Sequence, residues 1–245
     1  MVTEGGWKPK RSLDRESRRA KAAKIAAIVD QRRPLAGARL LEIGTGGGII
    51  ASLLAEHVGA TGEVFSVDVD DLRTVTDGYR FQLVKDVELP FDDDAFDVVV
   101  SNHTIEHVGG PDAQLVHLRE IARVLRLDGV CYLASPSRWA LVEPHFKVPM
   151  LSWLPPSSRT RALRFSRRGQ VYDISPRTRP ELLDLVADAG LEADDVTIDA
   201  LRVTAGVENR ALARAAGAAP EAALTLARGA LPTMVMLLSH PQPGA

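Results

Sequence analysis

The sequence holds a single cysteine, Cys131, so no disulfide can form within the chain, and a reducing cytosol suits it. No apolar run approaches the length of a membrane span. The first residues are polar and basic, unlike a secretory signal, which makes a cytoplasmic protein the expectation. An excess of one charge is missing too. Thirty Lys and Arg face 32 Asp and Glu, a balance that gives no global attraction to nucleic acid. Metal-ligand spacing is also absent: His103 and His107 stand four apart without an H-E-x-x-H pattern, and no metal is expected. Aromatic residues are few, with three Trp, three Tyr and six Phe in 245 residues.

The length fits one α/β domain with elaborations. Its most informative stretch is Leu40-Leu41-Glu42-Ile43-Gly44-Thr45-Gly46-Gly47-Gly48-Ile49-Ile50. An apolar run ends in glycines and leads into a helix-compatible segment. Glycines at a strand-to-helix turn permit positive φ and close approach of a ligand to the backbone. The helix that follows presents unpaired N–H groups. A dinucleotide fingerprint, G-x-G-x-x-G, would place its third glycine at position 49, which is Ile49. The spacing that fits without adjustment is E-x-G-x-G-x-G, on Glu42, Gly44, Gly46 and Gly48.

Strand-like and helix-like segments alternate, the pattern of a parallel sheet wrapped by helices. Helices are expected over residues 14–32, 48–57, 112–125 and 179–189, and an Ala-rich one from about 207 to 229, broken near Pro220. Strands are expected over residues 39–43, 63–67, 81–84, 96–101, 129–134, 194–203 and 231–239. Only about a dozen residues join the second and third strands, so the crossover helix there should be short or missing. Residues 1–35 read as a basic helical segment before a domain over 36–245, and residues 136–177 read as an inserted cap. Asp68 ends the second strand, where an acid can accept hydrogen bonds from ribose hydroxyls; its plainer role is that of a turn acid.

Further along, Asp86-Val87-Glu88-Leu89-Pro90-Phe91-Asp92-Asp93-Asp94-Ala95-Phe96-Asp97-Val98-Val99 follows the pattern D-x-x-L-P-F-x-D-x-x-F-D-V-V. Ile105-Glu106-His107-Val108 comes next, and then Arg119-Glu120-Ile121-Ala122-Arg123-Val124-Leu125. Together with the glycine turn, this order resembles the class I S-adenosylmethionine (SAM)-dependent methyltransferases of the type 11 family, over about residues 38–135. Leu127-Asp128-Gly129 stands where that family has Pro-Gly-Gly. The resemblance implies a doubly wound, Rossmann-like sheet of seven mostly parallel strands with an antiparallel last strand. It implies SAM as cofactor, Gly44 and Gly46 against its methionine arm with Ser101 opposite, Asp86 on the adenine amine and Val87 beside the ring. An acid suits an exocyclic amine as acceptor, and apolar side chains suit the ring faces.

Methyl transfer requires alignment of the acceptor, exclusion of water and, for a hydroxyl or ammonium acceptor, a base. His107, after the fourth strand, and His145, in the cap beside Glu143, are the candidate bases. The cap carries Trp139, Phe146, Trp153, Phe165 and Tyr172, five of the twelve aromatics, with Arg159, Arg161, Arg164, Arg167 and Arg168. These point to a small-molecule acceptor of aromatic or anionic character and to O-methylation, in secondary metabolism or cell-envelope biosynthesis. The basic N-terminal segment and the arginines leave an RNA methyltransferase as an alternative. A SAM-binding protein without turnover is a third. Asn102-His103-Thr104-Ile105 lacks the N/D-P-P-Y/F form of enzymes that methylate DNA amines, and Cys131 lies outside a Pro-Cys context.

Overall fold

A computed structural model describes residues 15–207 and 219–242. The expected Ala-rich helix falls partly, over 208–218, outside the described residues, as do residues 1–14 and the last three.

Buried apolar runs make the strands. Val98, Val99 and Val100 of β4 (Phe96–Asn102) are fully buried, as are Leu40 and Leu41 of β1 (Arg39–Ile43). Both strands are covered on both faces, which explains their unbroken apolar sequence. With β2 (Glu63–Asp68), β3 (Arg80–Leu83), β5 (Leu125–Pro136), β6 (Glu192–Asp195) and β7 (Thr233–Ser239) they form one sheet in the order β3-β2-β1-β4-β5-β7-β6. β7 runs antiparallel to β5 and β6, and the β1–β2, β1–β4, β2–β3 and β4–β5 pairs are parallel. The seven-stranded, mostly parallel sheet with an antiparallel last strand is as expected.

Alternation along each strand sorts side chains to two faces. Leu40, Val98 and Val100 meet α1 (Arg15–Val29), α2 (Ile49–Val58) and α6 (Thr197–Val207). Leu41 and Val99 meet α3 (Pro111–Val124) and α5 (Arg179–Asp188). In α1 the side chains of Ala22, Ile25, Ala26, Ile28 and Val29 are all buried in the first of these layers. The basic helix is therefore packed into the main core from Ala22 onward. Each large apolar side chain so buried contributes about 1.5–3 kcal/mol.

Two regions differ from expectation. Residues 69–79 between β2 and β3 contain no helix and fold back on the glycine turn, Thr74 and Val75 both donating to the Gly47 carbonyl. The short or missing crossover helix is thus missing. The strand expected over 194–203 is instead β6 followed by α6. Asp195 accepts the Thr197 N–H and starts the helix, while the Thr197 hydroxyl and the Val235 backbone bond to each other. Val196, Ile198 and Ala200 are buried, and this segment satisfies a strand period and a helix period about equally.

The motif segments have a mechanical role. Glu120 accepts the Leu89 N–H, and Arg123 donates to the Leu89 and Phe91 carbonyls and to Asp93. The L-P-F segment is thereby pinned to α3, with Phe65, Phe91 and Phe96 stacked edge to face beneath it.

The cap leaves the sheet after β5 and returns at Arg177, closed at its base by the Ser137–Arg177 bridge. It holds a 3₁₀ turn (Leu151–Trp153) and α4 (Pro156–Phe165) around a small core of Phe146, Leu151, Leu163 and Ile174. α7 (Glu221–Ala227) precedes β7. Among the described residues, no helix is long and apolar enough to cross a membrane.

Candidate active site

At the carboxyl edge of β1 the chain turns through Gly44, Gly46 and Gly48, all at positive φ (89°, 51° and 79°). The three glycines are required for different reasons. At Gly44 a side chain would overlap the Thr104 hydroxyl, and at Gly48 it would overlap the Val75 carbonyl and the Tyr79 hydroxyl. At Gly46 no protein atom lies within 4 Å of where a Cβ would be. That open cradle, at the foot of α2, is the surface a ligand can approach. Asp68 faces it from the end of β2 and accepts the Gly46 N–H at 2.8 Å through Oδ2, with the Val69 N–H on Oδ1. These bonds fix the carboxylate and leave lone pairs for further donors.

Glu42 lies beneath the turn, 2% exposed, and accepts from the Ser66 hydroxyl at 3.0 Å; that hydroxyl is 2.5 Å from Thr45 Oγ1. Burial pushes its pKa up to about 8, against the opposing Ser66 bond and the charge of Arg18. Glu42 is therefore protonated at neutral pH and braces the turn from below. Because its folded pKa lies above the ordinary 4.5, its contribution to stability is full below about pH 4.5 and is lost as pH rises through about 8. Glu42→Gln should remove the Glu42 contribution to the pH dependence of unfolding free energy between pH 5 and 8, which by itself approaches ~1.4 kcal/mol per pH unit. Denaturant titrations across that range check this; parallel slopes in both proteins would refute it.

Asp86 is exposed and accepts the N–H of Val87, a turn bond, while Val87 is half-buried. Val69 and Leu83, at the ends of β2 and β3, are 52% and 58% exposed. Sequence reading passed over both. Their signal was position alone, since each closes a strand at the edge that carries Asp68. Ser101 pairs with Ile43, beside the glycine turn, and its side chain faces the core. It is fully buried and its hydroxyl meets His117 Nε2 at 3.1 Å, on the α3 side of the sheet. Its side chain is thus committed to the core, because β4 is covered on both faces and its apolar run does not reveal which way each residue points.

The loop after β4 gathers the histidines. Thr104 donates to the Ile43 carbonyl and ties this loop to the glycine turn. Glu106, fully buried, has Oε1 at 3.2 Å from His103 Nδ1 and 3.3 Å from His145 Nε2. His145 Nδ1 lies 2.9 Å from Glu143 Oε1, and Glu143 also accepts the His145 and Phe146 backbone N–H groups. Burial would lower the basicity of His145, but bonds to Glu106 and Glu143 outweigh it and raise its pKa to about 9. At neutral pH His145 therefore holds its proton between two carboxylates. The sequence places it as a candidate base beside Glu143, and Glu143 is its partner at 2.9 Å. His107 reaches the surface, its ring 5.0 Å from that of His145; desolvation of the packed part keeps its pKa below the usual histidine value. It is neutral near pH 7 and can accept a proton.

Gln114 and Arg177 lock the cap to this loop: Gln114 donates to the Ile105 and Ser175 carbonyls and accepts from Arg177 at 2.6 Å. Of the cap arginines, Arg159 is buried, donates to the Leu154 carbonyl and lies over the Tyr172 ring, and Arg164 donates to Gln170. Arg161, Arg167 and Arg168 are exposed. Trp139, Leu141, Met150, Trp153 and Phe165 expose apolar surface on the same cap.

Known proteins share part of the sequence and the fold. Residues 41–133 match the sequence profile of a methyltransferase-domain family, that of type 11. The ubiquinone biosynthesis O-methyltransferase of Ruegeria pomeroyi is 34% identical over 176 residues, 66% of this chain. The match spans 63% of that relative's length. A methyltransferase of Haloferax volcanii, solved with the Trm112 methyltransferase activator, superposes with a TM-score of 0.58 at 20% identity, over 94% of this chain and 95% of that one. The 1,6-didemethyltoxoflavin-N1-methyltransferase of Burkholderia thailandensis, solved with its substrate and S-adenosylhomocysteine, gives a TM-score of 0.54 at 19% identity, over 93% and 80%. Residues 41–133 therefore resemble a methyltransferase domain of type 11, and the chain shares its fold along nearly its whole length with a solved methyltransferase.

Proposed function

We propose that the protein is a SAM-dependent O-methyltransferase acting on a small, largely apolar molecule that bears a hydroxyl group, in the cytoplasm. The observation that carries this reading is the open cradle at Gly46, faced by the Asp68 carboxylate and tied through Thr104 to the histidine loop. SAM fits the residues present. The glycine backbone admits the methionine arm, Asp68 accepts from the ribose hydroxyls, Asp86 accepts from the adenine amine, and Val69, Leu83 and Val87 offer apolar contact. When bound, SAM supplies a methyl group already activated on a sulfonium. The chain's own work is to hold the acceptor in line, to exclude water with the cap, and to receive the hydroxyl proton at His107. His145 stays charged and positions Glu106 and the cap turn.

The named relative acts in ubiquinone biosynthesis, and a similar acceptor class, from secondary metabolism or the cell envelope, suits the exposed aromatics of the cap. The RNA reading is weakened because Arg159 and Arg164 are engaged within the cap. Transfer from labelled SAM to a panel of phenols, polyketides and envelope precursors tests the proposal. Label appearing in hydroxylated small molecules is expected. Label in RNA or protein alone, or none in a single turnover, would overturn it.

A further inference from the structure

The three side chains His103, Glu106 and His145 converge from two separate segments, and one donor atom from each lies within 4.8 Å of the others. As hydrogen bonds their contacts are slack. The 3.2 and 3.3 Å separations to Glu106 Oε1 exceed the ~2.7–2.9 Å of a well-formed charge-assisted bond. These two separations do match the edges of a metal coordination polyhedron that meet at the carboxylate. Donors held about 2.1 Å from a common ion stand about 3.0–3.4 Å apart, from octahedral to tetrahedral geometry.

Two further observations point the same way. Glu106 Oε2 is buried in a residue with no exposure and has no hydrogen-bond partner, an unusual expense for a carboxylate oxygen. Each histidine also has an oxygen partner on the nitrogen that faces away from Glu106. His145 Nδ1 is 2.9 Å from the buried Glu143 carboxylate, and His103 Nε2 is 3.5 Å from the Thr233 hydroxyl. Metal-bound histidines are held in this way, the outer carboxylate fixing the tautomer; an ion would displace the proton that His145 shares with Glu106 in the metal-free protein and take its place on the inner nitrogen.

We infer that His103, Glu106 and His145 form a divalent transition-metal site, with Glu143 orienting His145 from behind. Two imidazoles and one carboxylate favour zinc over magnesium, whose preference is for oxygen alone. Three protein donors leave a position open, on the side where His103 is 24% exposed, for water or an acceptor oxygen. An ion there makes a bound hydroxyl easier to deprotonate. The site stands apart from the SAM reading, since metal binding can be measured with no methyl transfer at all.

Full-length protein stripped with a chelator and titrated with Zn²⁺ against a chromophoric competitor tests the inference, with Co²⁺ absorption reporting the ligand field. One equivalent should bind, and Co²⁺ should show visible bands of four- or five-coordinate type. His103→Asn is the primary variant, because Asn tolerates the left-handed backbone at this position (φ 59°) and the fold should survive. It should abolish stoichiometric binding while circular dichroism stays unchanged. Glu143→Gln should weaken Zn²⁺ by about 10–100-fold. Equal affinity in the parent chain and His103→Asn, or binding without saturation at one equivalent, would overturn the assignment. Should His103→Asn unfold, Glu143→Gln decides alone: unchanged Zn²⁺ affinity there would also overturn it.

Discussion

Replacing Gly48 by alanine is expected to unfold the glycine turn and lower the stability of the whole domain by about 3 kcal/mol or more. The left-handed backbone at this position costs an L-residue about 1–2 kcal/mol by itself. The new methyl would also overlap the Val75 backbone carbonyl, which cannot rotate aside as a side chain can. Relief requires residues 74–79 to lift from the turn, and with them the hydrogen bonds to the Gly47 carbonyl. A melting-temperature drop of about 6–12 °C follows for a domain of this size. Gly46→Ala is the informative control. It bears the backbone cost alone, because no protein atom lies within 4 Å of the new methyl. It should fold with a small loss of stability and yet lose most of its affinity for the SAM product, S-adenosylhomocysteine. If Gly46→Ala bound that product as tightly as the parent chain, the cradle would not be a ligand surface.

Removing the Glu106 carboxylate is expected to be nearly as damaging. Burial alone would raise its pKa, but bonds from His103 and His145 prevail and hold it down at about 2, so the charge is present throughout the neutral range. With Glu106→Ala, the imidazolium of His145, whose side chain is 6% exposed, is left with Glu143 as its one buried counter-charge among the contacts described above. Breaking a buried pair in this way costs about 3–5 kcal/mol. The Ser175 N–H bond to the Glu106 carbonyl keeps the backbone of the loop in place, so the loss should fall on the side chains. Urea unfolding at pH 7 measures it. A change under ~1 kcal/mol would mean that the cluster is solvated and that its charges are not coupled.

Much of this was legible in the sequence because the relevant signals are local. The glycine turn, the acid at the end of β2 and the L-P-F segment each lie within one short stretch, and the sheet follows from apolar runs of fixed length. The clasp of Glu120 and Arg123 on Leu89 and Phe91 explains why those two motifs occur together. What escaped was non-local or degenerate. The histidine cluster joins the loop after β4 to a turn inside the cap, and no spacing rule connects the two. Ser101 sits in a strand buried on both faces, where its direction is set by register with Ile43 and Leu133. Residues 196–203 satisfy two periods at once, and the side-chain bonds of Asp195 and Thr197 at the helix start are not visible in either period.

The central claim is that the glycine turn and Asp68 form a SAM site. Calorimetry with SAM, S-adenosylhomocysteine and NAD, on the parent chain and on Asp68→Ala, tests it most directly. The account predicts one site for SAM and its product, no heat with NAD, and affinity at least tenfold weaker in Asp68→Ala, the loss of about 1.4 kcal/mol expected of a charged hydrogen-bond acceptor. No binding of SAM or its product to the folded parent chain, or binding of NAD in their place, would contradict it.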